Sequence, residues 1–124
     1  MTPILYVDAI EPCLDFWTKR LGFTKTVEVP HGGKLGFVIL VKEQWELMYQ
    51  TWASADADLK GAMKRTKGRS AALYIEVEDI DAIERVMAGA DIVHPRRKAF
   101  YGATEIFVRE PGGHVVGFGQ MDAQ

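Results

Sequence analysis

The chain has 124 residues, enough for a domain that buries about 65% of its unfolded surface. Its 48% hydrophobic and 26% charged residues read as an ordinary globular protein, and a net charge of −2 argues against a nucleic-acid partner or an anionic membrane surface. No apolar run reaches the ~20 residues that span a bilayer, no charged-then-apolar leader opens the sequence, and the single Cys13 excludes an internal disulfide, which together suit a reducing cytoplasm.

In chain order, Ile4–Asp8 reads as a short strand. Asp8 then caps a helix with Pro12 in its first turn, where the missing N–H is harmless. Ile10, Leu14, Trp17 and Leu21 recur three to four apart as its buried stripe, and Gly22 ends it. Extended segments follow at 23–30, 35–41 and 45–51, separated by Pro30-His-Gly-Gly33 and Lys42-Glu-Gln44. The connector 52–70 holds a short surface helix over Ala53–Lys64, with Ala57, Leu59 and Met63 as a thin apolar edge, and then a polar loop.

The order then repeats. Ala71–Val77 is a strand, and Asp79 caps a helix striped by Ile80, Ile83, Val86 and Met87. Segments 92–99, 102–109 and 114–120 are extended, with Arg96-Arg97-Lys98 as a solvated strand end. The last two strands flank Glu110-Pro-Gly-Gly113, where Pro111 presets φ and Gly112 and Gly113 accept positive φ. Val7-Asp8-Ala9-Ile10 superposes on Val77-Glu78-Asp79-Ile80 at a shift of seventy positions. The fold class is therefore α+β: two β-α-β-β-β units, pseudo-repeats 1–51 and 71–124, in one domain over 1–124.

The hairpin Tyr101–Phe118 closely resembles the last hairpin of the vicinal oxygen chelate superfamily, which includes glyoxalase I, extradiol dioxygenases, and fosfomycin and bleomycin resistance proteins. Phe16-Trp17 with Leu21-Gly22-Phe23, Trp45-Glu46-Leu47-Met48 and the run Tyr74–Asp81 extend the resemblance over essentially the whole chain, nearest to the small bleomycin-resistance-like and glyoxalase-like members. The resemblance implies half-open curled sheets with helices on their convex side and a ligand cleft on the concave side. Metal-using members carry one ligand on the first and one on the fourth strand of each half. The matching positions here are Thr2, Glu46, Ala72 and Gly117, of which Glu46 alone is a ligand type. One carboxylate does not hold a divalent cation, so neither metal nor cofactor is expected. His31, His94 and His114 lack ligand spacing and read as surface or turn histidines, and Cys13 as a small packed or rim residue.

If Glu46 faces the cleft, strand parity adds Met48, Gln50 and Trp52, while Trp45, Leu47 and Tyr49 face the helix. The same parity places Tyr6 beside Thr2 and Ile4, Tyr74 and Glu76 beside Ala72, and Glu105 and Phe107 opposite the aliphatic Ile106 and Val108. Phe100 and Tyr101 sit on a loop at the mouth. The expected lining is aromatic, with two or three carboxylates and no base, which suits a hydrophobic or aromatic, even cationic, compound. The function expected is metal-free sequestration of such a small molecule, in the manner of bleomycin resistance proteins, with no catalytic residue. A homodimer is expected, with exchange of halves open to it through the connector. The alternatives are a metal-dependent lyase, isomerase or oxygenase with an atypical site, or a metal-independent catalyst with Glu46 as base. Against the last stands Glu46 as a relic carboxylate bonded to a neighbour.

Overall fold

The computed structural model describes residues 1–60, 65 and 71–123. It divides into two compact units, Met1–Gly68 and Arg69–Gln124. The first runs β1 (Ile4–Val7), α1 (Glu11–Asp15, continued as one π-type turn over Phe16–Arg20), β2 (Thr24–His31), β3 (Lys34–Lys42), β4 (Trp45–Thr51) and α2 (Trp52–Leu59). The second runs β5 (Ala72–Glu76), α3 (Ile80–Val86), β6 (Asp91–Lys98), β7 (Ala103–Arg109) and β8 (Val115–Met121). Each unit is one four-stranded mixed sheet, ordered β1-β4-β3-β2 and β5-β8-β7-β6, so the repeat read from the sequence is a repeat of topology. In both, the first strand pairs in parallel with the last and the rest is antiparallel.

Period-two burial assigns the faces. In the first unit Leu5, Val7, Val38, Leu40, Leu47 and Tyr49 are buried beside Ile10, Trp17 and Leu21 of the helix. Each such side chain contributes about 1.5–3 kcal/mol when fully removed from water. The Trp17 indole N–H donates to the Tyr49 hydroxyl at 2.8 Å, giving both buried polar tips a partner. Phe16 and Phe23 flank Trp17 edge-on at 5.1 Å and complete this core. Trp45 is only half-buried rather than part of it. Cys13 is packed and fully buried. In the second unit Ile80 and Met87 of α3 pack with Ile106, Val108, Val116 and Phe118, while Val86 is 39% exposed.

Several local expectations are corrected. Asp8 does not cap α1: the helix starts after Ile10 without a side-chain cap, and exposed Asp8 pairs instead with Arg65. Glu11 reaches across to accept the Leu35 backbone N–H of β3 at 2.8 Å, a bond that holds its carboxyl below the usual range. Asp79, by contrast, caps α3 as expected, accepting from Ala82 N at 3.1 Å. The connector helix starts one residue earlier than read, at Trp52, and is capped by Thr51. The apolar contact of that helix is Ala55, with Ala57 and Leu59 exposed, and Met63 lies outside the described residues.

The turns are made as the glycines allow. Gly32 and Gly33 both take positive φ between His31 and Lys34, closing β2–β3 as a two-residue hairpin. In the β7–β8 turn only Gly113 has positive φ. Gly112 instead donates its N–H to the Glu110 carboxylate, as does His114, so a buried acid organises the turn. Among the described residues no helix is long and apolar enough to cross a membrane.

Candidate functional site

The face of each sheet away from its helix carries the candidate residues. In the first unit Tyr6 of β1 and Trp52 at the start of α2 stack with ring centroids 5.0 Å apart and planes at 26°. Both rings are half-buried. Gln50 lies beside Tyr6 in the parallel register and donates to Ser54 Oγ of α2 at 3.3 Å. Met48 sits between Ile4 and Ile39. Phe37, Ile39 and Val41 of β3, and Val27 and Val29 of β2, share this face by register, so it is more apolar than the selected residues alone implied. Because β3 is an unbroken apolar run over Phe37–Val41, its sequence carries no parity signal, and only pairing with β4 sorts the two faces.

Glu46 belongs to the same face but not to the aromatic pair. It stands four residues from Gln50, about 13 Å along the strand. It is exposed and accepts from Thr2 Oγ1 at 2.8 Å. A solvated carboxylate bonded to the neighbouring strand is a bridge between β4 and the chain leading into β1, not a base enclosed by Met48 and Trp52.

In the second unit Tyr74, Tyr101, Glu105 and Phe107 form one cluster, joined by Arg97, whose role the sequence reading missed. Glu105 is fully buried. Tyr74 Oη donates to its Oε2 at 2.6 Å, Tyr101 Oη donates to the same oxygen, and Arg97 Nε donates to Oε1 at 3.2 Å. Burial alone would push this carboxyl up, but the bonds from Tyr101, Tyr74 and Arg97 outweigh it and hold it below the ordinary value. Tyr74 is shifted upward by partial burial and then by the carboxylate it serves, and Tyr101 upward chiefly by its bond to Glu105. The Arg97 guanidinium carbon lies 5.0 Å above the Phe107 ring, a cation–π contact. The face therefore does contain a base, and its innermost carboxylate is neutralised; Arg97 stands at the exposed end of β6 as read, but it is also bonded to a buried acid. Glu105 on β7 is its register partner, but irregularities in the pairing between Ile92 and Arg97 leave that partnership invisible in the sequence. Phe100, 99% exposed, touches Tyr101 edge-on at 5.1 Å at the tip of the β6–β7 hairpin.

Gly117 and Gly119 of β8 form the floor under these rings. A Cβ at Gly117 would stand 2.6 Å from Phe107 Cε1, and one at Gly119 would stand 1.9 Å from Tyr74 Oη. The space that a ligand-bearing side chain at position 117 would need is thus occupied by aromatic carbon. Ala72 lies opposite Val115, with no donor on either. Among the described residues no three His, Cys, Asp or Glu side chains converge, and the donor set does not fit a metal ion. His31 and His94 are exposed, the latter bonded to the adjacent Pro95 carbonyl at 2.7 Å, and His114 is a buried turn histidine whose backbone N–H donates to Glu110.

Two β-α-β-β-β sheets, each with a helix on one face and aromatic side chains on the other, define a protein of the repeated βαβββ class. A family model described as the Glyoxalase/Bleomycin resistance protein/Dioxygenase superfamily matches residues 2–118, and the chain belongs to that superfamily. The solved structures agree in fold. A lactoylglutathione lyase from Agrobacterium tumefaciens is similar at TM-score 0.77 and 17% identity, covering 97% of this chain and 91% of its own. A glyoxalase/bleomycin resistance protein/dioxygenase family enzyme from Burkholderia phytofirmans PsJN reaches TM-score 0.80 at 14% identity, over 97% and 96%. TioX from Micromonospora sp. ML1 reaches 0.75 at 21%, over 98% and 97%. At these identities the likeness is one of fold alone. No match was found among curated proteins.

Proposed function

We propose that this chain is a metal-free small-molecule binding protein of the bleomycin-resistance type, taking flat apolar or aromatic compounds against the open faces of its sheets. The observation that carries the reading is the Tyr6–Trp52 stack, left half-buried at the edge of an apolar face. A planar ligand laid on that face covers Met48, Ile39 and Phe37 and gains contact with a ring already held in place. Aromatic pairs of this kind contribute about 0.5–1.5 kcal/mol beyond the area they bury. The donors that metal-dependent members require are replaced by Thr2, Ala72 and Gly117, which supports binding rather than metal-assisted chemistry.

Trp52 is also the reporter. Trp17 is fully buried and bonded to Tyr49, so a bound aromatic compound should perturb Trp52 far more than Trp17. Titration with bleomycin and with naphthalene and acridine compounds should give a saturable change in tryptophan emission. Trp52→Phe should remove most of that change, and Trp52→Ala should weaken binding several-fold by calorimetry. No saturable signal across the panel, by emission or by heat, refutes the reading.

A further inference from the structure

The geometry points to Arg97 as an anion-recognition residue in the second unit, selecting planar aromatic ligands that carry a carboxylate or a comparable oxyanion; the inference rests on the binding function proposed above and specifies its ligand. Glu105 presents no charge to a ligand. It is fully buried, and its two oxygens already accept from Tyr74, Tyr101 and Arg97. Arg97 is placed the other way round, with 44% of its side chain exposed. Its Nε is spent on Glu105, its one ion-pair partner among the described residues; its flat face rests over Phe107, and the Tyr101 hydroxyl interacts with the same guanidinium. Guanidinium geometry matches a carboxylate through two parallel N–H donors, and a fork already fixed by a carboxylate behind it and a ring beneath it loses little freedom on binding.

The aromatic part of the ligand has its own place. Tyr74 is 44% exposed and Tyr101 52% exposed, both anchored through their hydroxyls to the buried acid, so their rings are fixed walls beside the cation. The remaining carboxylate on this face, Glu76, is on β5, at the opposite edge of the sheet from β6. Three strand spacings, about 14 Å, separate those edges, beyond the ~8 Å screening length at physiological salt. The Arg97–Glu105 pair is neutral as a whole, but its acid lies buried and its guanidinium half-exposed over Phe107, so the solvent side of the pair is its positive end.

The test uses the full chain and three probes that differ in one group: 2-naphthoate, 2-naphthamide and 2-naphthylmethylammonium, compared by calorimetry at fixed salt. Wild type should bind 2-naphthoate about 10- to 100-fold more tightly than the amide, as a charge-assisted paired hydrogen bond requires, with the ammonium probe weakest. Arg97→Lys should lose most of that preference, because a point charge cannot pair with both oxygens. Arg97→Gln leaves Glu105 with one donor fewer, so the double variant Arg97→Gln/Glu105→Gln serves as the second check, and it too should bind acid and amide alike. Equal affinity for the acid and the amide in wild type, or a preference that survives in both Arg97 variants, overturns the inference and leaves the binding function standing. Failure of wild type to bind any of the three overturns the inference, and the binding function falls with it only when the bleomycin and acridine panel is silent too.

Discussion

Gly119→Ala isolates what a glycine in mid-strand does here. The added methyl would stand 1.9 Å from Tyr74 Oη, 2.6 Å from its Cζ and 3.1 Å from Cε2, so the phenol must leave. Gly119 is not among the glycines at positive φ, and the penalty is therefore steric rather than conformational. Tyr74 is half-exposed, so the added methyl can force its ring outward into solvent, which relieves the clash but breaks the 2.6 Å bond to buried Glu105 that otherwise fixes it. A hydrogen bond to a charged group is worth about 1.5–3 kcal/mol, and imperfect relief adds part of the ~1–3 kcal/mol usual for overpacking. We expect a loss of about 2–3 kcal/mol, read as a drop of about 1–1.5 M in the urea midpoint for a slope near 2 kcal/mol/M. The decisive comparison is the same substitution in a Tyr74→Ala background, where no ring remains to displace. There Gly119→Ala should change stability by less than about 0.5 kcal/mol, the coupling accounting for the difference. An equal penalty in both backgrounds, or a wild-type penalty below 0.5 kcal/mol, refutes the account of Gly119 as the floor of this aromatic cluster.

Two further outcomes follow from buried polar groups. Tyr49→Phe leaves the Trp17 N–H without its hydroxyl acceptor inside the first core and should cost about 1–3 kcal/mol in urea unfolding, with unchanged far-ultraviolet dichroism; a loss under 0.5 kcal/mol would contradict it. The pH dependence of the urea midpoint should have two limbs. Glu105, held below its ordinary 4.5, contributes stability that is present above pH 4.5 and lost as pH falls through its folded value; Tyr74 and Tyr101, held above their ordinary 10.0, contribute stability present below pH 10 and lost above it. Glu105→Gln should flatten the acid limb and Tyr74→Phe the alkaline one, and limbs of unaltered slope in both variants would count against the cluster.

The architecture was legible because it rests on signals local to each segment. Helical spacing at Ile10, Trp17 and Leu21, capping by Asp79 and the paired glycines at 32 and 33 all act within a few residues, and each has its structural counterpart. The internal shift of seventy positions foretold one topology used twice. Parity on β1, β4 and β7 placed Tyr6, Met48, Gln50, Glu105 and Phe107 on the faces away from the helices, since alternation is a property of the extended chain itself.

What the sequence could not show is how charges and rings settle across strands. Arg97 was read within a basic run, yet it neutralises an acid eight residues away because the β6–β7 hairpin folds one onto the other. Gly117 registered as a missing donor, whereas the tertiary structure uses it and Gly119 as room for Phe107 and Tyr74. Asp8 had the chemistry of a cap, but it pairs with Arg65, and the helix starts uncapped while Glu11 in its first turn ties it to a strand remote in sequence. Composition and periodicity determine which residues fold into sheets and, wherever apolar and polar residues alternate, which side faces the helix. Hydrogen bonds and steric exclusion between strands, being through-space quantities, decide which charge a ligand would meet.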